Sequence, residues 1–241
     1  MDRWVFIHIM KTAGTSFRTM LETTPQAAIY PTKEELAVNY HRWYLAAPEL
    51  LRRIEAGEVD LSDRQFLCGH YAAALTEALP GTWRRITFLR DPVKRSLSMI
   101  AHRHSQASKL NRFFKPNISK WLDNETFVEK QIRDYQTKIF AIDPLAEVNA
   151  PAVVDEAAFA RAKARLEEVD FVGLTEQYLP SISILERMAG IRFAPLPHAN
   201  KSRGYTATDA EIARIRKLVP YDVELYEIAR EKLRAQLAAA A

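Results

Sequence analysis

Trp4-Val5-Phe6-Ile7-His8-Ile9-Met10-Lys11-Thr12-Ala13-Gly14-Thr15-Ser16 is the stretch that decides the fold. Its first six residues are largely apolar, which predicts a buried strand, and Phe17, Met20 and Leu21 follow at helical spacing. In the small-residue turn between them, backbone N–H groups can converge on an anion, and Lys11 adds a full positive charge. The stretch therefore predicts an oxyanion site, and the alternative is a strand-to-helix turn that binds nothing.

Lysine comes first in this turn, whereas the P-loop of nucleotide triphosphatases reads G-x-x-x-x-G-K-[ST]. None of the seven glycines in the chain is followed by lysine, so an ordinary ATP or GTP site has no motif here. A positive φ at position 13 would cost alanine about 1 kcal/mol or more. We therefore expect an ordinary negative φ at Ala13.

A second strand-to-helix junction lies about eighty residues later. Ile86-Thr87-Phe88-Leu89 predicts a short strand, and Asp91 and Pro92 suit the N-cap and first position of the next helix. An arginine at the end of such a strand can bind phosphate oxygens in pairs. A capped surface helix with scattered charge is the alternative. The helical period predicts a polar face of Arg95, Ser98 and His102 and a core face of Val93, Leu97 and Ile100.

The two junctions together resemble the sulfotransferases that use 3'-phosphoadenosine 5'-phosphosulfate (PAPS), in particular the branch with the uronyl 2-O-sulfotransferases. Residues 8–16 are similar to the family's 5' loop H-x-P-K-T-G-G-T-[ST], from which Met10 and Ala13 depart. Residues 90–98 resemble its 3'-phosphate motif R-x-P-x-x-R-x-x-S. The resemblance spans about residues 4–230 and implies a three-layer, P-loop-like α/β fold with a central parallel sheet flanked by helices.

The resemblance also implies which residues bind PAPS and which catalyse sulfuryl transfer. Sulfuryl transfer should share the loose, in-line transition state of phosphoryl transfer. Lys11 would neutralise the leaving oxygen, and His70, neutral near pH 7, would accept the proton of the acceptor hydroxyl. No metal is expected to be required. The implied PAPS-binding residues are Lys11, Thr12, Ala13, Gly14, Thr15 and Ser16 at the 5' side, Arg90 and Ser98 at the 3'-phosphate, and Lys201, Ser202 and Arg203 in a basic loop that closes over the nucleotide.

Three weaker segments fit the same branch. Gln65-Phe66-Leu67-Cys68 predicts a strand that delivers His70 to the carboxyl edge of the sheet, where open α/β sheets bind ligands. A strand-end histidine satisfied by a backbone hydrogen bond is the alternative interpretation. Residues 133–138 resemble the family's N-x-Q-T-[KR] helix and make Gln136 a substrate-side candidate. Residues 170–176 resemble its late strand.

The pattern along the chain indicates one domain, residues 1–241, with 48% apolar residues. Strands near residues 4, 66, 86 and 170 alternate with helical patterns, which favours a parallel sheet. A capping box at Thr208–Glu211 begins a helical C-terminal region. Further helices are expected at Glu125–Ala141, Asp155–Glu168 and Tyr178–Ala189, the last ending at Gly190.

The net charge is only +4, but residues 92–122 contain no Asp or Glu. Basic and aromatic residues alternate there, which suits an anionic acceptor such as an acidic saccharide, while a solvated loop is the alternative. Sugar hydroxyls, lipids and small alcohols all remain open as acceptors. Nucleic acid is disfavoured, because no reader motif appears. The candidate acceptor contacts are His102, His104, Lys109, Arg112 and Lys115, together with Gln136.

Three other classes of protein remain as alternatives. A kinase would need Mg²⁺ carboxylates and a Walker lysine, and a nucleotide-sugar glycosyltransferase would usually show Asp-x-Asp, which this sequence lacks. A catalytically inactive PAPS- or polyanion-binding module is harder to exclude, given Met10 and Ala13. The single cysteine, Cys68, is expected in a buried strand, and with no signal peptide or transmembrane segment evident, a cytoplasmic location is expected.

Overall fold

The computed structural model describes residues 2–32, 34–35, 45–107, 114–195 and 206–239. Within these residues, five strands form one sheet with the order β2-β3-β1-β4-β5, and every neighbouring pair is parallel. The strands are β1 Trp4–Ile7, β2 Ile29–Tyr30, β3 Phe66–Gly69, β4 Arg84–Leu89 and β5 Phe171–Leu174.

Helices connect and cover these strands. The first, α1, follows β1 directly, and α3 follows β4, so both junctions singled out in the sequence are strand-to-helix turns. The helices are α1 Gly14–Thr23, α2 Ala47–Glu55, α3 Pro92–Ala107, α4 Ile118–Leu122, α5 Glu125–Gln131, α6 Tyr135–Ala141, α7 Glu156–Glu167, α8 Tyr178–Ala189, α9 Asp209–Leu218 and α10 Pro220–Ala239.

The sheet is the centre of the hydrophobic core. Every residue of β1, β3 and β5 is buried, as expected for parallel strands that are covered on both faces. The chain is thus an α/β protein with helices flanking a parallel sheet, consistent with three layers. A second cluster of apolar side chains joins α3, α4, α5 and α9, and Met10 packs against both clusters.

The connection order gives a topological switch point at the carboxyl end of β1. After β1 the chain builds β2 and β3 on one side of it and then crosses to β4 on the other side. Ile7 pairs with Gly69 of β3 and with Thr87 of β4, whose hydroxyl donates to the Ile7 carbonyl at 3.0 Å. Ligands of open α/β sheets bind at such a switch point. The segments after β1, β3 and β4 therefore meet at one edge.

Most elements expected from the sequence are present, and one is divided. The four expected strands are confirmed, as are the helix Tyr178–Ala189, its left-handed Gly190 cap and the capping box at Thr208. The expected helix Glu125–Ala141 is two helices, because Asp134 lies in the left-handed region with φ 38°. The two-residue β2 was too short to be predicted.

In the parts of the chain that the structure describes, no helix combines the length and the apolar character needed to cross a bilayer. Cys68 lies buried in β3, as expected from its strand pattern, and burial raises the pKa of its thiol to about 12. A thiol in that state is neutral and is a poor nucleophile.

Candidate functional site

The loop between β1 and α1, residues 8–13, contains two residues with positive φ and is called the Lys11 loop below. Lys11 has φ 71° and Ala13 has φ 69°, so both lie in the left-handed region. The expectation of an ordinary backbone at Ala13 was wrong. The loop must turn from the end of a strand into a helix within six residues, and Ala13 takes the left-handed N-cap conformation that makes this turn. Neighbouring interactions have to offset the cost of about 1 kcal/mol for each residue.

Gly14 is needed for space rather than for conformational freedom. A Cβ atom on Gly14 would lie 1.9 Å from the imidazole of His8, a contact that no side chain can make. Thr12 is fully buried, and its hydroxyl donates to the Ile9 carbonyl at 2.9 Å, which closes the base of the loop. The loop is thus fixed by the His8 ring, which packs against Gly14, and by the hydrogen bond of the Thr12 hydroxyl.

Helix α1 begins without a side-chain cap. Its N-cap residue is Ala13, which makes no side-chain hydrogen bond, and the first turn contains no acidic residue. The first N–H groups of a helix have no partner within that helix. Here they belong to Gly14, Thr15 and Ser16. Together with the helix dipole they form an arrangement that suits an anion.

The strain at Ala13 predicts opposite effects for one substitution at two positions. Ala13→Gly removes the Cβ that disfavours positive φ and should raise the free energy of unfolding by about 0.5 kcal/mol, after the entropy of the unfolded glycine is counted. Ala160→Gly, on an exposed face of α7, should lower it by about 1 kcal/mol. Urea denaturation measures both values. Equal destabilisation at the two positions would contradict the left-handed conformation of Ala13.

Arg90 follows β4 and reaches across to the Lys11 loop. Its Nη1 donates to the Lys11 carbonyl at 3.3 Å. Its backbone is held by Gln136, whose Oε1 accepts from the Arg90 N–H at 3.0 Å and whose Nε2 donates to the Arg90 carbonyl at 2.9 Å. The buried Nε of Arg90 has no hydrogen-bond partner among the described residues. A buried N–H without a partner among these residues is costly, which makes Arg90 a candidate for a functional role.

Arg95 lies inside the protein, although the helical period placed it on a polar face with Ser98 and His102. Its side chain is 0% exposed, its guanidinium lies 4.3 Å from the centre of the Tyr135 ring, and Nε donates to the Met10 carbonyl at 3.4 Å. A further N–H donates to the Gln131 carbonyl. Arg95 can be buried on the expected polar face because its N–H groups donate to backbone carbonyls of the loop that contains Lys11 and of α5.

The other residues of α3 follow the predicted faces in part. Ile100 is fully buried as expected, whereas Val93 and Leu97 are only partly buried and pack against the second apolar cluster. Ser98 is partly buried, one turn after Arg95. Asp91 accepts a hydrogen bond from the Lys94 N–H at 2.8 Å and Pro92 begins the helix, which confirms the predicted start.

The electrostatics of the site disfavour additional positive charge. The pKa of Lys11 is lowered by burial and then by the charges of Arg90 and Arg95. The pKa of His102 is lowered to about 4 by burial and by Lys11 and Arg103. Cationic groups that depress one another's protonation define a region where an anion would be stabilised.

His70 follows β3, is partly exposed, and has one ring nitrogen assigned by its contact. Its Nδ1 lies 2.6 Å from the His8 carbonyl, which can only accept, so in the neutral ring Nδ1 carries the proton and Nε2 is the unprotonated nitrogen. The His8 and His70 rings stack at 4.1 Å. Burial is the main cause that lowers the pKa of His70 to about 4, so the ring is neutral at pH 7. A neutral ring with a basic Nε2 is the form that a general base requires.

The remaining predicted site residues are scattered. Gln136 is 0% exposed and hydrogen-bonds the Arg90 backbone. It therefore supports Arg90 and does not face a substrate, contrary to its place among the substrate-side candidates. His104 lies on α3 and is partly buried, and Lys115 is exposed. Five predicted residues lie outside the described residues: Lys109, Arg112, Lys201, Ser202 and Arg203.

Sequence reasoning missed the residues that support this edge of the sheet from the side of β5. The Glu176 Oε1 accepts from the Asp91 N–H at 3.2 Å, and its Oε2 accepts from the Tyr226 hydroxyl at 2.9 Å. The Thr175 hydroxyl donates to the Leu89 carbonyl at 3.2 Å. A carboxylate directly after a buried strand was the available signal for Glu176, because parallel strands end at one edge.

Comparisons of the sequence with protein-family models and with curated proteins gave no match. The site is therefore interpreted from its own residues and from the motif resemblance.

Proposed function

We propose that this chain is a PAPS-dependent sulfotransferase of P-loop-like fold, which moves a sulfuryl group from PAPS to an acceptor hydroxyl, most suitably of a carbohydrate or another anionic acceptor. One observation carries the proposal. Lys11, His70 and Arg90 follow three neighbouring parallel strands and meet at the carboxyl edge beside β1. This edge offers an anion site and a neutral imidazole together.

Two groups of donors suit the two ends of PAPS, which carries about four negative charges. The uncapped N-terminus of α1 and the Lys11 ammonium suit the 5'-phosphosulfate. Arg90, whose Nε–H has no partner among the described residues, and Ser98 on α3 suit the 3'-phosphate. PAP, the desulfated product, retains both phosphate ends and should bind at the same two groups of donors.

In this proposal the transfer is an in-line displacement at sulfur. The acceptor oxygen forms a bond to sulfur while the bond from sulfur to the 5'-phosphate oxygen breaks, and that oxygen leaves with the electron pair as part of PAP. His70 Nε2 takes the hydroxyl proton. Lys11 and the N–H groups at the start of α1 stabilise the negative charge that develops on the leaving oxygen.

One observation favours a second candidate, a PAPS- or polyanion-binding module without turnover. A general base is most effective when its pKa lies near the working pH, and the His70 pKa of about 4 makes it a weak base. In such a module the anion would bind at the same two groups of donors. Radiolabelled PAPS with pooled acceptors, beginning with uronate-containing polysaccharides, distinguishes sulfuryl transfer from binding alone.

Binding of PAP without metal is the expected first result. PAP at about 100 times its dissociation constant should stabilise the fold by about 2.7 kcal/mol, whereas adenosine 5'-monophosphate (AMP), which lacks only the 3'-phosphate, should stabilise it much less at the same concentration. Thermal denaturation in EDTA measures both. Equal stabilisation by PAP and AMP would contradict a 3'-phosphate site, and stabilisation by ATP that depends on Mg²⁺ would favour the kinase.

A further inference from the structure

Asp222 is a buried carboxylate on the C-terminal helix α10, far in sequence from the proposed site. Its side chain is 0% exposed, and its carboxylate takes part in four described interactions, three of which are hydrogen bonds from two residues of α6. Oδ1 accepts from the Thr137 N–H at 2.7 Å and the Thr137 hydroxyl at 2.9 Å, and Oδ2 accepts from the Gln136 N–H at 3.2 Å. The fourth is the attraction to the charge of Arg95. Such a carboxylate is built into the fold rather than exposed to solvent.

These contacts replace a missing local cap. The N-cap residue of α6, Asp134, makes no side-chain hydrogen bond to its own helix, and its Oδ1 accepts instead from the Asp222 N–H at 3.0 Å. The first N–H groups of α6 would otherwise be buried without partners, which is costly. Asp222 thus fixes the start of α6 and, with it, the position of Gln136.

Gln136 in turn fixes the backbone of Arg90. Its side-chain amide bonds both backbone polar groups of Arg90, so the direction in which the Arg90 side chain leaves the strand depends on where Gln136 lies. The path from Asp222 to Arg90 consists of one buried hydrogen bond of 3.2 Å and two partly buried ones of 3.0 and 2.9 Å. A guanidinium must be held within fractions of an ångström to bind a phosphate through paired hydrogen bonds.

We infer that Asp222 is a positioning residue for recognition of the 3'-phosphate, acting through Gln136 on Arg90. The inference rests on the proposed function, because it assigns Arg90 to that phosphate. It adds that Asp222, on the C-terminal helix, contributes to the selectivity of the nucleotide site through Gln136 and Arg90.

The ratio of the dissociation constants for AMP and PAP isolates this role, since the two ligands differ only in the 3'-phosphate. Asp222→Asn and Gln136→Met should each raise the dissociation constant for PAP about tenfold and change that for AMP less than twofold. Thr137→Val is the matched control. This substitution removes a buried hydrogen bond to the Asp222 carboxylate and should lower the free energy of unfolding. Because the Thr137 side chain has no described hydrogen bond to Arg90, the ratio of the dissociation constants for AMP and PAP should stay unchanged.

A double-substitution cycle by calorimetry completes the test. With Arg90→Ala already present, Gln136→Met should change the dissociation constant for PAP less than twofold, because the group that it positions is gone. Selectivity retained in Gln136→Met, or lost equally in Thr137→Val, would overturn the inference. Should Asp222→Asn fail to fold, Gln136→Met tests the same path from its other end. A wild-type chain that binds AMP and PAP equally would instead contradict the proposed function.

Discussion

Replacing His70 by alanine should lower turnover at least 100-fold and leave the dissociation constant for PAP within twofold. A general base acts on the acceptor proton in the transition state, so its loss reduces the rate and not the affinity for the nucleotide. The 2.6 Å contact of Nδ1 with the His8 carbonyl leaves Nε2 as the unprotonated nitrogen of the neutral ring, which is why we propose His70 as the base. Sulfate transfer from radiolabelled PAPS and calorimetry with PAP measure the two quantities.

The pH profile provides a second measure of the same residue. An ordinary imidazole loses its basic form as the pH falls through about 6.5. Desolvation lowers the pKa of the partly exposed His70 to about 4, so the ring stays neutral, and turnover should be level from pH 8 down to about 5.5. An acid limb near 6.5 would contradict a base with a depressed pKa. An unaltered rate in folded His70→Ala would transfer the role of base to His102 or His104 on α3.

Replacing Lys11 by alanine should lower both affinity and turnover. Loss of a charge-assisted contact to the 5' group should raise the dissociation constant for PAP by about tenfold or more. Loss of the charge that stabilises the leaving oxygen should reduce turnover by about 100- to 1000-fold. Lys94→Ala is the matched control, because Lys94 is an exposed lysine on α3 and should leave both quantities within twofold.

Lys11→Ala should not destabilise the unliganded protein. Burial and the neighbouring Arg90 and Arg95 lower the pKa of Lys11, which means that its charge is disfavoured in the folded state. Alanine has the same Cβ and so carries the same cost at φ 71°. The melting temperature of Lys11→Ala without ligand should therefore equal or exceed that of the wild type. A large decrease would show that Lys11 supports the fold and not a ligand.

Local sequence patterns were sufficient for the elements that carry the site. Apolar runs predicted the strands that precede Lys11, His70 and Arg90, and strands that alternate with helices predicted a parallel sheet. Parallel strands end at one edge, so these three residues could be expected to meet there without any knowledge of distances. Caps at Asp91, Thr208 and Gly190 were also readable, because a cap involves neighbours within one turn of helix.

Contacts between distant parts of the chain decided the rest. Nothing local marks Ala13 for positive φ, since that conformation comes from packing of the loop between β1, His8 and α1. The helical period places Arg95 on the polar face of α3. In the fold the side chain is buried, and its N–H groups donate to carbonyls of the Lys11 loop and of Gln131. Periodicity identifies the face of a helix, but only the assembled fold shows what covers that face.

The division of residues 125–141 shows the same limit most clearly. The sequence by itself determined a helix-forming segment, a lysine-first turn and an arginine at the end of a strand. The tertiary structure decided that the segment breaks at Asp134, because Asp222, some 86 residues beyond Gln136, supplies the cap that starts the second half. Helical propensity and capping signals act over a few residues, whereas a buried carboxylate acts wherever the folded chain brings it.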